Sequence, residues 1–132
     1  MSAFKFDHIH LYSREPMTTA KWYEKMFGGK ILQSVQTDGK PRIDVEIGDI
    51  TLFILEVARD AKMPDAPGVP HMGLEHFGFS VSNIDQVVAE MKGKGAKFTV
   101  EPTTIRPGIR VAFVEAPEKG RIELLERSEK FK

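Results

Sequence analysis

Cysteine is absent from this chain of 132 residues. Its absence excludes disulfide bonds, thiolate metal sites and cysteine nucleophiles. The chain also lacks any apolar run near the roughly 18 residues that a membrane-spanning helix needs, and its first residues lack the apolar core of a signal peptide. The sequence therefore predicts a soluble, cytoplasmic protein with no membrane partner.

An excess of charge of either sign is also missing, because 19 basic and 19 acidic residues cancel and neither sign forms a long block. A general nucleic-acid-binding protein needs a basic surface that neutralises phosphates, so a nucleic-acid partner is not expected. A small-molecule substrate remains compatible with this composition. The 41% hydrophobic content suffices for one packed core, and the length is short for two independent domains.

The chain does contain a plan that occurs twice. Residues 7–13 (DHIHLYS) and residues 75–81 (EHFGFSV) each place an acid before a histidine that opens an alternating apolar strand. A helix-like segment and three strand-like segments follow each copy. The predicted strands are 4–12, 31–36, 42–47, 50–57, 74–81, 98–100, 109–115 and 121–126, with one helix from Ser13 or Pro16 to Gly28 and another opened by Asn83 and stopped at Gly93 to Gly95.

Spacing supports this duplication. His8 lies 20 residues before Gly28, and His76 lies 19 before Gly95. A half of roughly 60 residues buries little core alone, which is a physical reason to pair two such units. We expect an α+β fold in which two paired βαβββ modules form a curved mixed sheet around a cleft. One domain would then span residues 1–132, with modules at about 4–58 and 73–127 and a Pro-rich linker at about 59–72.

Strand parity sorts the side chains that could do chemistry. If Phe77 and Phe79 pack under a helix, His76 faces the cleft, and the same rule puts His8 and Glu123 on the cleft side. Two imidazoles and one carboxylate can bind a divalent ion such as Fe, Mn, Ni or Zn and leave positions open for substrate. A lone strand histidine is more often a hydrogen-bonded residue than a ligand. The metal prediction therefore depends on the two histidines occupying equivalent positions of the repeat.

Three signatures resemble the vicinal oxygen chelate superfamily, which includes glyoxalase I, methylmalonyl-CoA epimerase, fosfomycin-resistance proteins, extradiol dioxygenases and bleomycin-binding proteins. They are DHIHL at 7–11, EHFGF at 75–79 and GRIELLE at 120–126. The resemblance implies paired βαβββ modules and a metal that chelates substrate through vicinal oxygens and stabilises an oxyanion or enolate. It also implies that the metal ligands are His8, His76 and Glu123.

One family ligand position is filled differently here. Glyoxalase I and the epimerase have Glu or Gln on the last strand of the first module, and the alignment puts Phe53 in that position. Phenylalanine cannot ligate a metal, so either three protein ligands suffice and Phe53 lies against the substrate, or Glu46 or Glu56 supplies the fourth ligand. A three-ligand site resembles the fosfomycin-resistance and extradiol dioxygenase branches.

Other polar side chains could complete the chemistry. His10 lies two residues from His8 on the same strand face and is the best candidate base or proton donor, with Tyr12 second. Guanidinium groups match carboxylates and phosphonates, although each arginine alone is more often a surface residue. The candidate substrate-clamping residues are Arg42, Arg106 and Arg110.

Three functions follow from these residues. The first is a divalent-metal-dependent lyase, isomerase or fosfomycin-resistance-like transferase acting on a small substrate. The second is a small extradiol-type dioxygenase with an Fe(II) site, and the third is a metal-free binding protein of the bleomycin-resistance type. The resemblance also implies a homodimer, and it leaves open whether His8 and His76 meet within one chain or between two.

Overall fold

Residues 2–58 and 60–129 are described by a computed structural model of the chain. Two compact units, Met1–Met63 and Pro64–Lys132, divide the chain. Unit 1 contains β1 (His8–Ser13), α1 (Pro16–Phe27), β2 (Lys30–Val35), β3 (Pro41–Ile47) and β4 (Ile50–Glu56). Unit 2 contains β5 (Phe77–Ser80), α2 (Ile84–Gly93), β6 (Phe98–Arg106), β7 (Ile109–Ala116), a short 3-10 turn (Pro117–Lys119) and β8 (Gly120–Arg127). Among the described elements, both units follow the predicted order of strand, helix and three strands.

Each unit forms a four-stranded mixed sheet with the same topology. The strand orders are β1-β4-β3-β2 and β5-β8-β7-β6. In both units the first strand pairs parallel with the last, and the remaining pairs are antiparallel. The predicted α+β class with two βαβββ modules is confirmed, whereas their union into one domain around a cleft stays a prediction.

Helix α1 covers one face of the first sheet. It begins at Pro16, whose ring suits the first helical position, and ends at Gly28, which takes up a left-handed conformation with φ of 68°. Tyr23 lies on its buried side, and the core of this unit also includes Leu52 and Ile54. Burial raises the pKa of the Tyr23 phenol, because the charged form would be desolvated.

Helix α2 is capped by two side chains of different elements. The Asn83 side chain accepts the Gln86 backbone N–H at 3.2 Å, as the sequence predicts. The Glu126 Oε2 atom of β8 accepts the Ile84 N–H at 2.9 Å. These acceptors satisfy amides that have no intrahelical partner, and the carboxylate also complements the positive end of the helix dipole.

Strand β6 is longer than the sequence predicts. The prediction ended it at residue 100 and gave Pro102 to a loop, which is wrong, because β6 continues to Arg106. The strand lies at the edge of its sheet, and its pairing with β7 shifts register between Val100 and Thr103. Proline is tolerated at such an edge position because no ladder hydrogen bond is lost there.

The first strands of both units are shorter than predicted. Strand β1 begins at His8 and β5 begins at Phe77, so His76 lies immediately before its strand. The predicted linker has no helix or strand in residues 60–72, and Arg59, its first residue, lies outside the described residues. None of the described helices is long and apolar enough to cross a membrane.

Candidate functional site

In unit 2, His76 lies between two carboxylates. Its Nδ1 atom is 2.7 Å from Glu75 Oε1, and its Nε2 atom is 3.1 Å from Glu123 Oε2. With the proton on Nδ1, the ring donates to Glu75 and turns its Nε2 lone pair toward Glu123. A carboxylate behind a histidine is the usual arrangement for a metal ligand, because it fixes both tautomer and ring orientation.

The separation between Nε2 and Oε2 fits two ligands of one metal ion. Metal–ligand distances of about 2.1 Å place adjacent donor atoms about 3.0 Å apart in octahedral geometry and about 3.4 Å apart in tetrahedral geometry. The observed 3.1 Å lies between these values. The side chains are also half-buried, with 31% of His76 and 20% of Glu123 exposed, so an ion would remain reachable from solvent.

Arg121 of β8 lies behind the same acid. Its Nη1 atom is 3.2 Å from Glu75 Oε1, the oxygen that also faces His76 Nδ1. The hydrogen bond with His76 lowers the pKa of Glu75, and the positive charge of Arg121 lowers it further. Sequence reasoning did not single out Arg121, although its position two residues before Glu123 places both side chains on one strand face.

In unit 1, His8 repeats the acid-histidine arrangement. Its Nδ1 atom is 2.7 Å from Asp7 Oδ2, so its Nε2 atom is again the one left for a ligand role. The ring stacks on Phe53 with centroids 4.0 Å apart and planes inclined by 13°. His8 is therefore oriented from two sides, by a carboxylate and by an aromatic face.

Phe53 is held between side chains from the strands on either side of β4. His8 approaches from β1, and the Arg42 guanidinium of β3 lies 4.2 Å from the ring centroid. Two groups this close to one ring need opposite faces of it. Arg42 is oriented by Asp44, whose carboxylate lies 3.1 Å from the Arg42 Nε atom. The ring thus has an imidazole on one face and a guanidinium on the other, and the negative face of an aromatic ring favours the guanidinium cation.

The strand registers identify equivalent positions in the two units. Phe53 pairs with His10 across the parallel ladder, and Glu123 pairs with Gly78. His10 follows His8 by two residues, as Gly78 follows His76, so Phe53 occupies in unit 1 the position that Glu123 occupies in unit 2.

The neighbouring antiparallel strand shows an exchange of residue types. Asp44 is opposite Phe53, whereas Phe113 is opposite Glu123. In unit 1 the acid is on the third strand and the phenylalanine on the fourth, whereas in unit 2 the phenylalanine is on the third strand and the acid on the fourth. A carboxylate is still present on this face of unit 1, but it lies on β3 and is paired with Arg42.

The two alternative fourth ligands lie in different places. Glu46 pairs across from Thr51 on β4, on the same sheet face as Phe53. Glu56 pairs with the buried Ser13 and belongs to the opposite face, where it is exposed at the end of β4. The ligand role of each stays a prediction, and parity favours Glu46 over Glu56.

The remaining predicted residues are spread over the two units. The rings of His10 and Tyr12 lie 4.7 Å apart, on the face that carries His8. Arg106 is exposed at the end of β6. The Nη1 and Nη2 atoms of Arg110 lie 2.7 and 3.2 Å from the two carboxylate oxygens of Asp85 on α2, which lowers the pKa of Asp85 and raises that of Arg110. This partner gives Arg110 a structural role on the helix side, and its part in substrate binding stays a prediction.

Within residues 2–58 and 60–129, no group of three or more His, Asp or Glu side chains could hold a metal ion as placed. What the structure brings together is the pair His76 and Glu123. A cavity of about 450 Å³ in unit 2 has Glu115, Lys119 and Arg121 in its wall, and its volume is in the range of small-molecule sites. A cavity of about 660 Å³ in unit 1 lies at the start of α1 and includes Glu56 in its wall.

Comparison with known proteins places these observations in a family. The family profile described as the Glyoxalase/Bleomycin resistance protein/Dioxygenase superfamily matches residues 5–124. A protein of Arabidopsis thaliana named probable lactoylglutathione lyase, chloroplastic, is 41% identical over 113 residues, which cover 83% of this chain and 32% of that protein. A protein of Saccharomyces cerevisiae named glyoxalase I is 27% identical over 90% of this chain and 44% of its own length. The chain thus spans less than half the length of both relatives.

Solved structures share the fold at low sequence identity. A glyoxalase family protein from Enterococcus faecalis has a TM-score of 0.77 at 22% identity, over 96% of this chain and all of its own. A glyoxylase/bleomycin resistance protein/dioxygenase domain from Frankia has a TM-score of 0.74 at 22% identity, over 96% of this chain and 100% of its own. These likenesses support the βαβββ architecture.

Proposed function

We propose that this chain, which belongs to the Glyoxalase/Bleomycin resistance protein/Dioxygenase superfamily, is a divalent-metal-dependent enzyme that binds a small substrate through two adjacent oxygens. The observation that carries the proposal is the His76–Glu123 pair, with donor atoms 3.1 Å apart and with Glu75 behind the imidazole. The relatives named lactoylglutathione lyase and glyoxalase I favour lyase chemistry over the transferase and isomerase alternatives.

The proposed ligand set is His8, His76 and Glu123. Each histidine has a carboxylate at its Nδ1 atom, which leaves Nε2 for the ion. Phe53 contributes no donor atom, so the set has three protein ligands, and the other positions are available to substrate oxygens. When bound, the metal would act as a Lewis acid that stabilises the negative charge developing on a substrate oxygen.

The side chains around this set have separate proposed roles. His10 would accept or return the substrate proton, because a neutral imidazole is a competent base near pH 7, and Tyr12 beside it would orient the ring. Arg42 would pair with a substrate carboxylate through its remaining N–H groups. Phe53 would present an apolar wall that excludes water from the reacting atoms.

Metal binding by the purified protein tests the proposal directly. Chelator-treated protein is titrated with Ni²⁺, Mn²⁺ and Zn²⁺ in a calorimeter, and we expect saturable binding to wild type. The same titration of His76→Ala and Glu123→Gln is expected to show a large loss of affinity. His71→Ala is the matched control, because the His71 Nδ1 atom contacts the Met72 carbonyl and His71 makes only the smallest of the electrostatic contributions at Glu75. The proposal fails if wild type binds no metal, or if His76→Ala binds it as tightly as His71→Ala.

Turnover is tested separately with metal-loaded protein. Formation of lactoylglutathione, the compound in the name of the Arabidopsis thaliana relative, from glutathione and a 2-oxoaldehyde with two adjacent carbonyl oxygens is followed at several metal loadings. We expect turnover that requires the metal and that falls in His10→Gln with metal affinity unchanged. Metal binding without turnover would keep the metal site and reject this substrate.

A ring-cleaving dioxygenase is the second candidate, because one observation favours it. The register equivalence of Phe53 with Glu123 gives a set of two histidines and one carboxylate, which is the ligand set of non-haem Fe(II) oxygenases. Oxygen uptake with Fe(II)-loaded protein and a catechol would support this function. Turnover with Zn²⁺ or Ni²⁺ and without oxygen would exclude it.

A further inference from the structure

Arg121 contacts two of the residues that surround the proposed ligand pair in unit 2, Glu75 and Phe113. We propose that Arg121 is a positioning residue for the His76 imidazole, and that it acts through Glu75. The inference rests on the proposed function, because it concerns the same His76–Glu123 pair. It adds a residue that touches neither metal nor substrate.

The geometry joins the three side chains at a single atom. Glu75 Oε1 lies 2.7 Å from His76 Nδ1 and 3.2 Å from Arg121 Nη1. A carboxylate held by only one partner can rotate about its terminal bond, and the imidazole would then follow it. With a guanidinium on the same oxygen, the direction of the Nδ1 hydrogen bond is fixed, and so is the direction of the Nε2 lone pair.

An aromatic platform fixes Arg121 in turn. Its guanidinium carbon lies 3.9 Å from the Phe113 ring centroid, and the His76 ring lies nearly perpendicular to the same ring at a centroid distance of 4.9 Å. Phe113 is also the cross-strand partner of Glu123. One phenylalanine therefore supports the imidazole, the guanidinium and the strand position of the second ligand.

The burial of Arg121 indicates a role beyond surface charge. The Arg121 side chain is 18% exposed, and the Glu75 side chain is 17% exposed. The Arg121 Nε atom is buried and has no hydrogen-bond partner among the described residues. A buried N–H without a partner is unfavourable. Arg121 bears this cost in the conformation that reaches Glu75.

Unit 1 provides an internal contrast. The register-equivalent of Arg121 is Thr51, which precedes Phe53 as Arg121 precedes Glu123. The acid beside His8 is Asp7, whose side chain is 82% exposed. The guanidinium support therefore accompanies the histidine whose Nε2 already faces a carboxylate.

The sign of the effect on metal affinity separates this role from simple electrostatics. Removing a positive charge near a cation site should raise affinity for the cation. Loss of a positioning residue should lower it, and changes behind a metal-ligating histidine typically cost 10- to 100-fold in affinity. Because Arg121 is one residue further removed, we expect Arg121→Met to bind Ni²⁺ about tenfold more weakly.

The experiment measures Ni²⁺ affinity by calorimetry and the visible absorption spectrum of the Co²⁺-loaded protein. The variants are Arg121→Met, Arg121→Lys, Glu75→Gln and the double variant Glu75→Gln/Arg121→Met. Lys119→Gln is the matched control. It also removes a cation from the wall of this cavity, but Lys119 is paired with the exposed Asp65. Thermal melting verifies that each variant is folded. Arg121→Lys is included because it keeps a positive charge at this position.

The inference is supported if Arg121→Met weakens Ni²⁺ binding and alters the Co²⁺ spectrum, Lys119→Gln does neither, and Arg121→Met adds no further loss in the Glu75→Gln background. Equal or tighter binding by folded Arg121→Met, with wild type binding normally, would overturn the inference alone, and if Arg121→Met does not fold, equal or tighter binding by folded Glu75→Gln would do so. Additive losses in the double variant would overturn the route through Glu75. Absence of binding by wild type would overturn the proposed function and this inference together.

Discussion

Gly78 is the residue at which strand packing and the proposed metal site can be tested together. It lies on β5 directly opposite Glu123 of β8. A Cβ atom added to Gly78 would lie 3.0 Å from the Glu123 carbonyl oxygen and 3.2 Å from the Glu123 Cβ. Carbon atoms in contact prefer about 3.5 to 4.0 Å, so Gly78→Ala requires the two strands to separate by about 0.3 to 0.8 Å.

The strand that must move is not free to do so. Strand β8 lies between β5 and β7 and pairs with β7 along its whole length. Overpacking costs about 1–3 kcal/mol, while replacing a strand glycine by alanine returns about 0.5–1 kcal/mol of backbone entropy. We therefore expect Gly78→Ala to lower the free energy of unfolding by about 0.5–2 kcal/mol.

The same displacement would change the distance between Glu123 and His76. We expect Ni²⁺ affinity to fall about tenfold, the size of effect that follows when a ligand loses its orientation. Gly93→Ala is the control, because a Cβ there meets nothing within 4 Å. Urea unfolding and calorimetric titration are the assays. If Gly78→Ala and Gly93→Ala are equally stable and bind Ni²⁺ equally well, the close approach of β5 to Glu123 is refuted.

Three further predictions concern stability. Glu126→Gln keeps the shape but loses the charge that accepts the α2 amide at 2.9 Å, so we expect a loss of about 1 kcal/mol in urea unfolding; an unchanged midpoint would contradict the cap. The Arg110 hydrogen bond lowers the pKa of Asp85. The stabilisation from this pair is therefore fully present above the Asp85 pKa of the unfolded chain, about 4, and disappears as pH falls through the lower pKa of the folded protein. Asp85→Asn should therefore reduce the acid dependence of stability, and identical pH curves would reject the pair. In Gly29→Ala the new Cβ would lie 2.5 Å from the Cγ1 atom of Val45 on β3, so we expect the free energy of unfolding to fall by about 1–3 kcal/mol. Thermal melting measures this, and a melting temperature equal to that of wild type would rule out the close contact.

The duplicated fold could be predicted from the sequence because each unit carries its own local signals. Alternating strands, Pro16 at the start of α1 and Asn83 at the start of α2 are readable without tertiary information, and the structure confirms them. The limit of β6 was not readable, because a proline inside a strand is tolerated only at an edge, and strand order decides which strand is the edge. The starts of β1 and β5 were missed for a related reason, since alternation continues before the residues at which pairing begins.

The candidate site was predictable in part. Parity put His76 and Glu123 on one side of their strands, and they lie together. Arg121 was missed because nothing local distinguishes a partly buried arginine from the other charged residues. Its significance comes from Glu75 and Phe113, which are distant in sequence or on another strand. Long-range contacts of this kind depend on register, and a single sequence does not fix register.

The exchange of acid and phenylalanine between equivalent strands explains how one repeated plan gives two different surfaces. In unit 2 the acid, Glu123, is on the strand that pairs with β5, so it comes within 3.1 Å of the histidine. In unit 1 that position holds Phe53, and the acid, Asp44, is one strand further from β1 and paired with Arg42. The first histidine therefore stacks on an aromatic ring, whereas the second faces a carboxylate. We therefore expect the larger share of metal affinity to come from unit 2, so that a variant without His8 retains more metal than a variant without His76. We expect the substrate contacts to come from unit 1.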